Sequence, residues 1–308
     1  MNALKGIALQ IAATFLFSIM SALVRIVSER VPTGEVVFAR SFFALFPLLA
    51  LLAWRGEISA AVRTAHPLGH IVRGTIGVCA MVLTFAGLAR IPLADATAIG
   101  FTAPLMTVVL AALFLRERVQ AFRWVAVAIG LGGVVAMLWP HLGGGFDTPE
   151  RGLGAAFSLA AAFFTAGAMI QVRRLTASES TAAIVFYFQS LAAVAGLATA
   201  AWGWHFPTPT EAGLLIATGI FGGIAQILLT ESYRYAPASV VAPFAYSAML
   251  WTTIIGFALF GEVPSLMVVA GAAIVIGAGL FVIWRERRPT LARAEAEAAA
   301  SQPGGPPG

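Results

Sequence analysis

Charge is scarce in this 308-residue chain, where only 11% of residues are Asp, Glu, Lys or Arg. A soluble domain carries roughly a quarter, so there are too few polar side chains here to cover a water-facing surface. Aspartate occurs only at Asp95 and Asp147, and lysine only at Lys5. No paired acids fall within the apolar runs, and no histidine lies deep in one, which argues against a membrane enzyme built on metal-bound phosphate or on a nucleophile with its base. Cys79 is the only cysteine, so no intrachain disulfide can form, and its bland reading is a small buried side chain. The histidines at 66, 70, 141 and 205 sit in connections without the spacing of metal ligands. No metal and no cofactor are expected.

What the chain has in quantity is apolar sequence: 59% of residues, with a mean hydropathy of +0.89. At roughly 20 residues per spanning helix, the runs divide into ten segments, near 6–27, 36–54, 71–89, 93–115, 122–139, 152–171, 182–202, 212–232, 238–260 and 265–284. None shows the alternation of a barrel strand, and backbone groups cannot go unpaired in hydrocarbon. The expected fold is therefore an all-α integral membrane protein of ten transmembrane helices. The first segment follows Lys5 as a signal peptide would, but it continues to Arg25 without a small-x-small cleavage site and reads as a true helix.

Basic residues set an orientation. With the N-terminus inside, fourteen Lys and Arg residues fall in cytoplasmic segments, Arg55, Arg63, Arg73, Arg173 and Arg234 among them, against Arg30, Arg90 and Arg151 outside. Both termini are expected in the cytoplasm. Because the basic residues are dispersed through connections, the surplus of +5 does not suggest nucleic-acid binding. Beyond Trp284 the composition turns to Arg, Ala, Glu, Pro and Gly, so 285–308 is expected as a disordered cytoplasmic tail.

The chain also repeats itself. Pro92 leads a stretch that reaches Glu117, and Pro237 leads one of equal length to Glu262; at the same offset of 145, Gly77 falls on Gly222 and Gly132 on Gly277. Two five-helix halves follow, residues 1–139 and 152–284, joined by a periplasmic connection at 140–151. An odd number of helices per half means that the second copy enters the membrane from the opposite side. Such inverted repeats place a central site at their interface and suit alternating access.

The stretches PLADATAIGFTAPLMTVVLAALFLRE (92–117) and PASVVAPFAYSAMLWTTIIGFALFGE (237–262), with the glycine runs GLGGVVAM and GAAIVIGAG after them, resemble the EamA-type drug/metabolite transporters. The resemblance covers residues 1 to about 285. It implies a bacterial inner-membrane carrier of a small organic solute, with the lipid bilayer and that solute as its partners. VPTGEVVFARSFFALFPLL (31–49) and IPLADATAIGFTAPL (91–105) are further similar to the riboflavin importers of the family. Riboflavin uptake is thus one implied function, and export of amino acids or drug-like compounds is the alternative; an integral-membrane enzyme or a passive channel is the rival of another class.

Candidate substrate-binding residues follow from polarity at depth. Arg40 lies a turn inside the second segment, where a charge is expensive unless it faces a cavity or a partner, with pairing to Glu35 as its bland explanation. Arg25 is expected to snorkel and pair with Glu29. Trp251 is the one mid-depth tryptophan and could stack on a flat ring. Phe101 and Tyr246 are repeat equivalents, and Tyr187, Gln189 and Gln226 supply hydrogen-bonding groups, either to a ligand or between helices. Pro47, Pro104 and Pro243 interrupt their helices and are candidate hinges. Glu117 and Glu262 are anchors or a gate pair, and Asp95 and Glu231 are the nearest candidates for proton coupling.

Overall fold

A computed structural model of the chain describes residues 3–114, 120–142, 149–176, 178–236 and 238–300. Arg116, Glu117, Arg118, Asp147 and Pro237 lie outside the described residues. Within the described residues, ten helices are long and apolar enough to cross a membrane. They are α1 (Ala3–Val27), α2 (Thr33–Arg55), α3 (Pro67–Leu88), α4 (Leu93–Gly100 and Thr102–Phe114), α5 (Ala121–Leu142), α6 (Pro149–Leu175), α7 (Thr181–Ala198), α8 (Pro209–Tyr235), α9 (Ser247–Phe260) and α10 (Leu266–Ala300). Each agrees with its expected segment to within a few residues, except that α10 runs on to Ala300. The run after Trp284 is rich in Ala, Glu and Arg, all strong helix formers, so helix replaces the expected disorder at 285–300. Residues 301–308 lie outside the described residues.

Local chemistry sets the ends. Pro209 opens α8 behind a capping box, in which the Thr208 hydroxyl and the Glu211 carboxylate satisfy each other's backbone amides. Ser180 caps α7 through Ala183 N–H. Gly56 and Gly261 close α2 and α9 in the left-handed conformation, at φ 69° and 64°. Gly261 matters most, because its turn brings Glu262 back beside the end of its own helix, with Glu262 N–H donating to the Gly256 carbonyl at 3.1 Å.

The bundle has two ends, a near face holding the start of α1 and a far face where α1 ends. Helix α1 packs on α8 and α3 on α6, which are equivalent pairs under exchange of the two halves; α2 with α7 and α5 with α10 are pairs of equivalents. Contacts between the halves thus dominate the bundle. Large apolar side chains such as Phe46, Val135, Ile254 and Phe257 are at least half exposed on its outside. Trp54 and Trp202 are 82% exposed at helix ends, as an interfacial belt requires.

Candidate functional site

Arg40 is buried inside α2, only 6% exposed. It does not pair with Glu35. Instead its Nη1 donates to Gln189 Oε1 on α7 at 2.7 Å, which joins the two halves across the α2–α7 seam. Moving an ion into such surroundings costs several kcal/mol, and one charge-assisted hydrogen bond returns about 1.5–3 kcal/mol. The Arg40 Nε has no hydrogen-bond partner.

A second guanidinium reaches the same stretch of α7. Arg73, counted above with the near-face basic residues at the very edge of the 71–89 segment, lies well inside α3, because that helix already begins at Pro67. Its guanidinium lies 4.0 Å from the ring centre of Phe188, the neighbour of Gln189, and its Nε and Nη1 are buried without hydrogen-bond partners. The two guanidiniums thus meet α7 at consecutive residues, Phe188 and Gln189. The repeat places a glycine against each: a Cβ at Gly77 would collide with Arg73 Nη1, and one at Gly222 would come within 3.3 Å of Arg40 Nε. Gln226, half-buried, follows Gly222 by one turn on the same face of α8.

Along α3, Arg73, Gly77, Ala80 and Thr84 share one face at helical spacing. About 16 Å beyond Arg73 along the helix, Thr84 enters a crevice of about 160 Å³ lined by Ser21, Thr97, Ser158 and Thr165 from α1, α4 and α6. Hydroxyls from both halves therefore face a common space on the far-face side of the bundle.

The duplicated helices α4 and α9 both break at mid-depth. Helix α4 is interrupted at Phe101, and α9 is preceded by a 3₁₀ turn over Ala242–Tyr246. The repeat equivalents Phe101 and Tyr246 meet edge to face at these breaks, with ring centres 5.1 Å apart. Pro104 sits in the first turn of the resumed α4 and Pro243 in the 3₁₀ turn, where a missing N–H costs little. Pro47 lies within α2, and the GxxxG pair of α8 packs there, Gly219 against Phe43 and Gly223 against Pro47. Trp251 meets Phe15 of α1 at 5.2 Å, and its buried Nε1 has no hydrogen-bond partner.

Tyr187 stands apart from this centre. Its hydroxyl donates to the Val62 carbonyl at 2.6 Å and its ring stacks on His70 at 4.6 Å, both toward the near face. His70 was expected in a connection, yet it is 3% exposed within α3. Beside it, Glu179 accepts from Thr64 Oγ1 and from the amides of Ala65 and His66, each at 2.8 Å. Burial works to raise the Glu179 pKa, and these donors together with His70 outweigh it, holding the carboxylate below its usual range.

The far face is latched. Arg25, expected to pair with Glu29, forms its ion pair with Glu262 and donates to the Ile91 carbonyl at 2.9 Å. Glu262 also accepts from Leu93 N–H at 3.0 Å, so one carboxylate ties α1 and the start of α4 to the end of α9. Beneath it Val24, Val27, Val36, Val37, Leu88 and Leu93 form a buried apolar cluster. At the near face, Glu231 accepts from Arg55 at 2.9 Å and from Arg234 at 3.3 Å. Asp95 is buried in the first turn of α4.

Sequence reasoning missed Arg73, the Arg25–Glu262 pair and Gln10, which is 1% exposed and accepts from Ser232 of α8 at 3.0 Å. The recurrence of glycine one turn after Arg73 was the available signal for the first.

A ten-helix membrane bundle whose halves share a polar interior is the architecture of a multi-pass small-molecule transporter. Residues 4–139 and 152–284 each match the EamA-like transporter family, and the chain belongs to it. Similar proteins include the pseudopaline exporter CntI of Pseudomonas aeruginosa, 34% identical over 88% of this chain and 93% of that one. The S-adenosylmethionine uptake transporter of Rickettsia bellii is 32% identical over 89% and 93%, and the riboflavin transporter of Rhizobium johnstonii 29% identical over 93% of each. A crystal structure 20% identical in sequence superposes with a TM-score of 0.65 over 93% of this chain and 97% of that one, which shows the same fold.

Proposed function

We propose that the protein is an alternating-access carrier of a bacterial inner membrane, with its near face and both termini in the cytoplasm, moving a small organic metabolite through the space between its halves. The observation that carries this reading is the buried Arg40–Gln189 contact, a charge held at depth on the seam between the halves. A passive structural bundle has no use for that cost. The Arg25–Glu262 latch is the periplasmic gate on this reading, and the Ser/Thr crevice with Phe101, Tyr246, Gln226 and Trp251 lines the route. The bias of basic residues supports the orientation.

The relatives named for S-adenosylmethionine uptake and pseudopaline export are at least as similar as those named for riboflavin, so both uptake substrates belong in the first test. Labelled S-adenosylmethionine and labelled riboflavin are offered to proteoliposomes carrying the protein, with the unlabelled compound inside for counterflow. Saturable exchange of either above empty liposomes, lost in Arg40→Ala, is the expected result. Exchange of neither turns the search to efflux substrates, read by drug tolerance of expressing cells; a protein that confers neither exchange nor tolerance is not such a carrier.

A further inference from the structure

We propose that Arg40 and Arg73 together hold an acidic group of the transported solute, a carboxylate or a phosphate, against Gln189 at the seam between the halves. The proposal deepens the carrier reading, and rests on it for the statement that the anion is cargo.

The argument begins with what these guanidiniums lack. Both cations reach consecutive residues of α7, Phe188 and Gln189, in low-dielectric surroundings where like charges repel, and neither has a carboxylate partner among the described residues. Arg40 donates to a neutral amide and Arg73 rests on an aromatic face, so no negative charge offsets either one. Three of their nitrogens, Arg40 Nε and Arg73 Nε and Nη1, are buried with nothing to donate to. Arg25 in the same bundle shows what a structural arginine does here, since it takes a carboxylate and a backbone carbonyl. The central pair differs in having guanidinium donors left over, the kind of donor that suits an oxyanion.

Two further features point the same way. The duplication does not require these charges: at the offset of 145, Arg73 corresponds to Thr218, so the cation belongs to one half alone. Glycine, by contrast, occurs in both halves, at Gly77 and Gly222, and leaves open the space beside each guanidinium that a Cβ there would crowd. The Gln189 carboxamide adds an N–H donor from the second half. An acid bound there would contact both halves at once, and its negative charge would offset the two cations.

The test uses the purified full-length protein in detergent. Thermal unfolding is followed by tryptophan fluorescence during titration with sodium succinate or with sodium phosphate, with chloride holding ionic strength constant. A saturable rise of about 3 °C at about ten times the dissociation constant is expected, in the succinate arm for a carboxylate site and in the phosphate arm for a phosphate site. The rise should vanish in Arg40→Gln and Arg73→Gln and persist, weakened, in Arg73→Lys, which keeps the charge. No rise with either anion in the wild-type protein overturns the proposal, and so does a rise that the glutamine variants retain. Counterflow in proteoliposomes is read separately. An anion-dependent rise without transport of any solute would leave the anion site standing and remove the carrier reading; transport without the rise would do the opposite.

Discussion

At the residue scale, the most telling side chains are those whose partners come from the other half. Arg40→Ala removes the charge and its bond to Gln189, and transport is expected to fall by at least about tenfold, the effect of losing one charge-assisted hydrogen bond. The protein should still reach the membrane, which immunoblotting of membrane fractions checks. Glu262→Gln would leave Arg25 and Leu93 N–H poorly satisfied, at a cost of about 2 kcal/mol. It should lower the unfolding temperature and raise the labelling of a cysteine placed on the far face, because the latch is weakened. Glu179 makes a pH-dependent contribution. Its folded pKa lies below the ordinary value of 4.5, so the stability it confers is present above that value and is lost as pH falls through the folded pKa. The stability gap between wild type and Glu179→Gln should therefore be constant near neutrality and close in acid, as measured by thermal melts across that range.

At the element scale, the helices were legible because length and apolarity suffice to define a span. Even the breaks were foreshadowed by Pro104 and Pro243: the 3₁₀ turn over Ala242–Tyr246 contains Pro243, whereas the interruption of α4 falls at Phe101, three residues before Pro104. What hydropathy cannot say is which face of a helix meets which neighbour, since lipid and protein interior are equally apolar. That is why Arg25 was matched to a local acid when its partner is distant in sequence, and why Tyr187 and Gln189 looked alike while one faces the near end and the other the centre. Arg73 was lost for a different reason: it stood at the edge of the 71–89 segment and was counted with the basic connection, whereas the helix starts a turn earlier and carries it inside. Two predictions belong here. A Gly219→Val substitution would press a branched side chain into Phe43, lowering stability by about 1–3 kcal/mol, which a melt of the purified protein reads. If the α4 break is a hinge, Pro104→Ala changes the transport rate; an unchanged rate would return Pro104 to the role of helix starter.

At the scale of the whole molecule, the duplication was visible in the spacing of Pro, Gly and Glu, and the family match falls on the same two stretches. The pairing of α1 with α8 and of α3 with α6 turns that linear repeat into an interlocked bundle. Neither half can bury its polar face alone: Gln10 needs Ser232, Thr14 shares a 2.8 Å hydrogen bond with Ser247, and Arg40 needs Gln189.

The position of Arg73 opposite Thr218 has a consequence for how such a chain can evolve. In an assembly of two identical five-helix subunits, every position appears twice, and a cation at the seam would bring its own duplicate across the axis. Covalent fusion lifts that constraint, fixes the stoichiometry at one to one, and lets the copies specialise, one as the source of charge and the other as its neutral cradle. Residues 1–142 and 149–300, expressed as two separate polypeptides, should then reassemble only as a mixed pair, and a pair made of either copy alone would carry two cations too many or none.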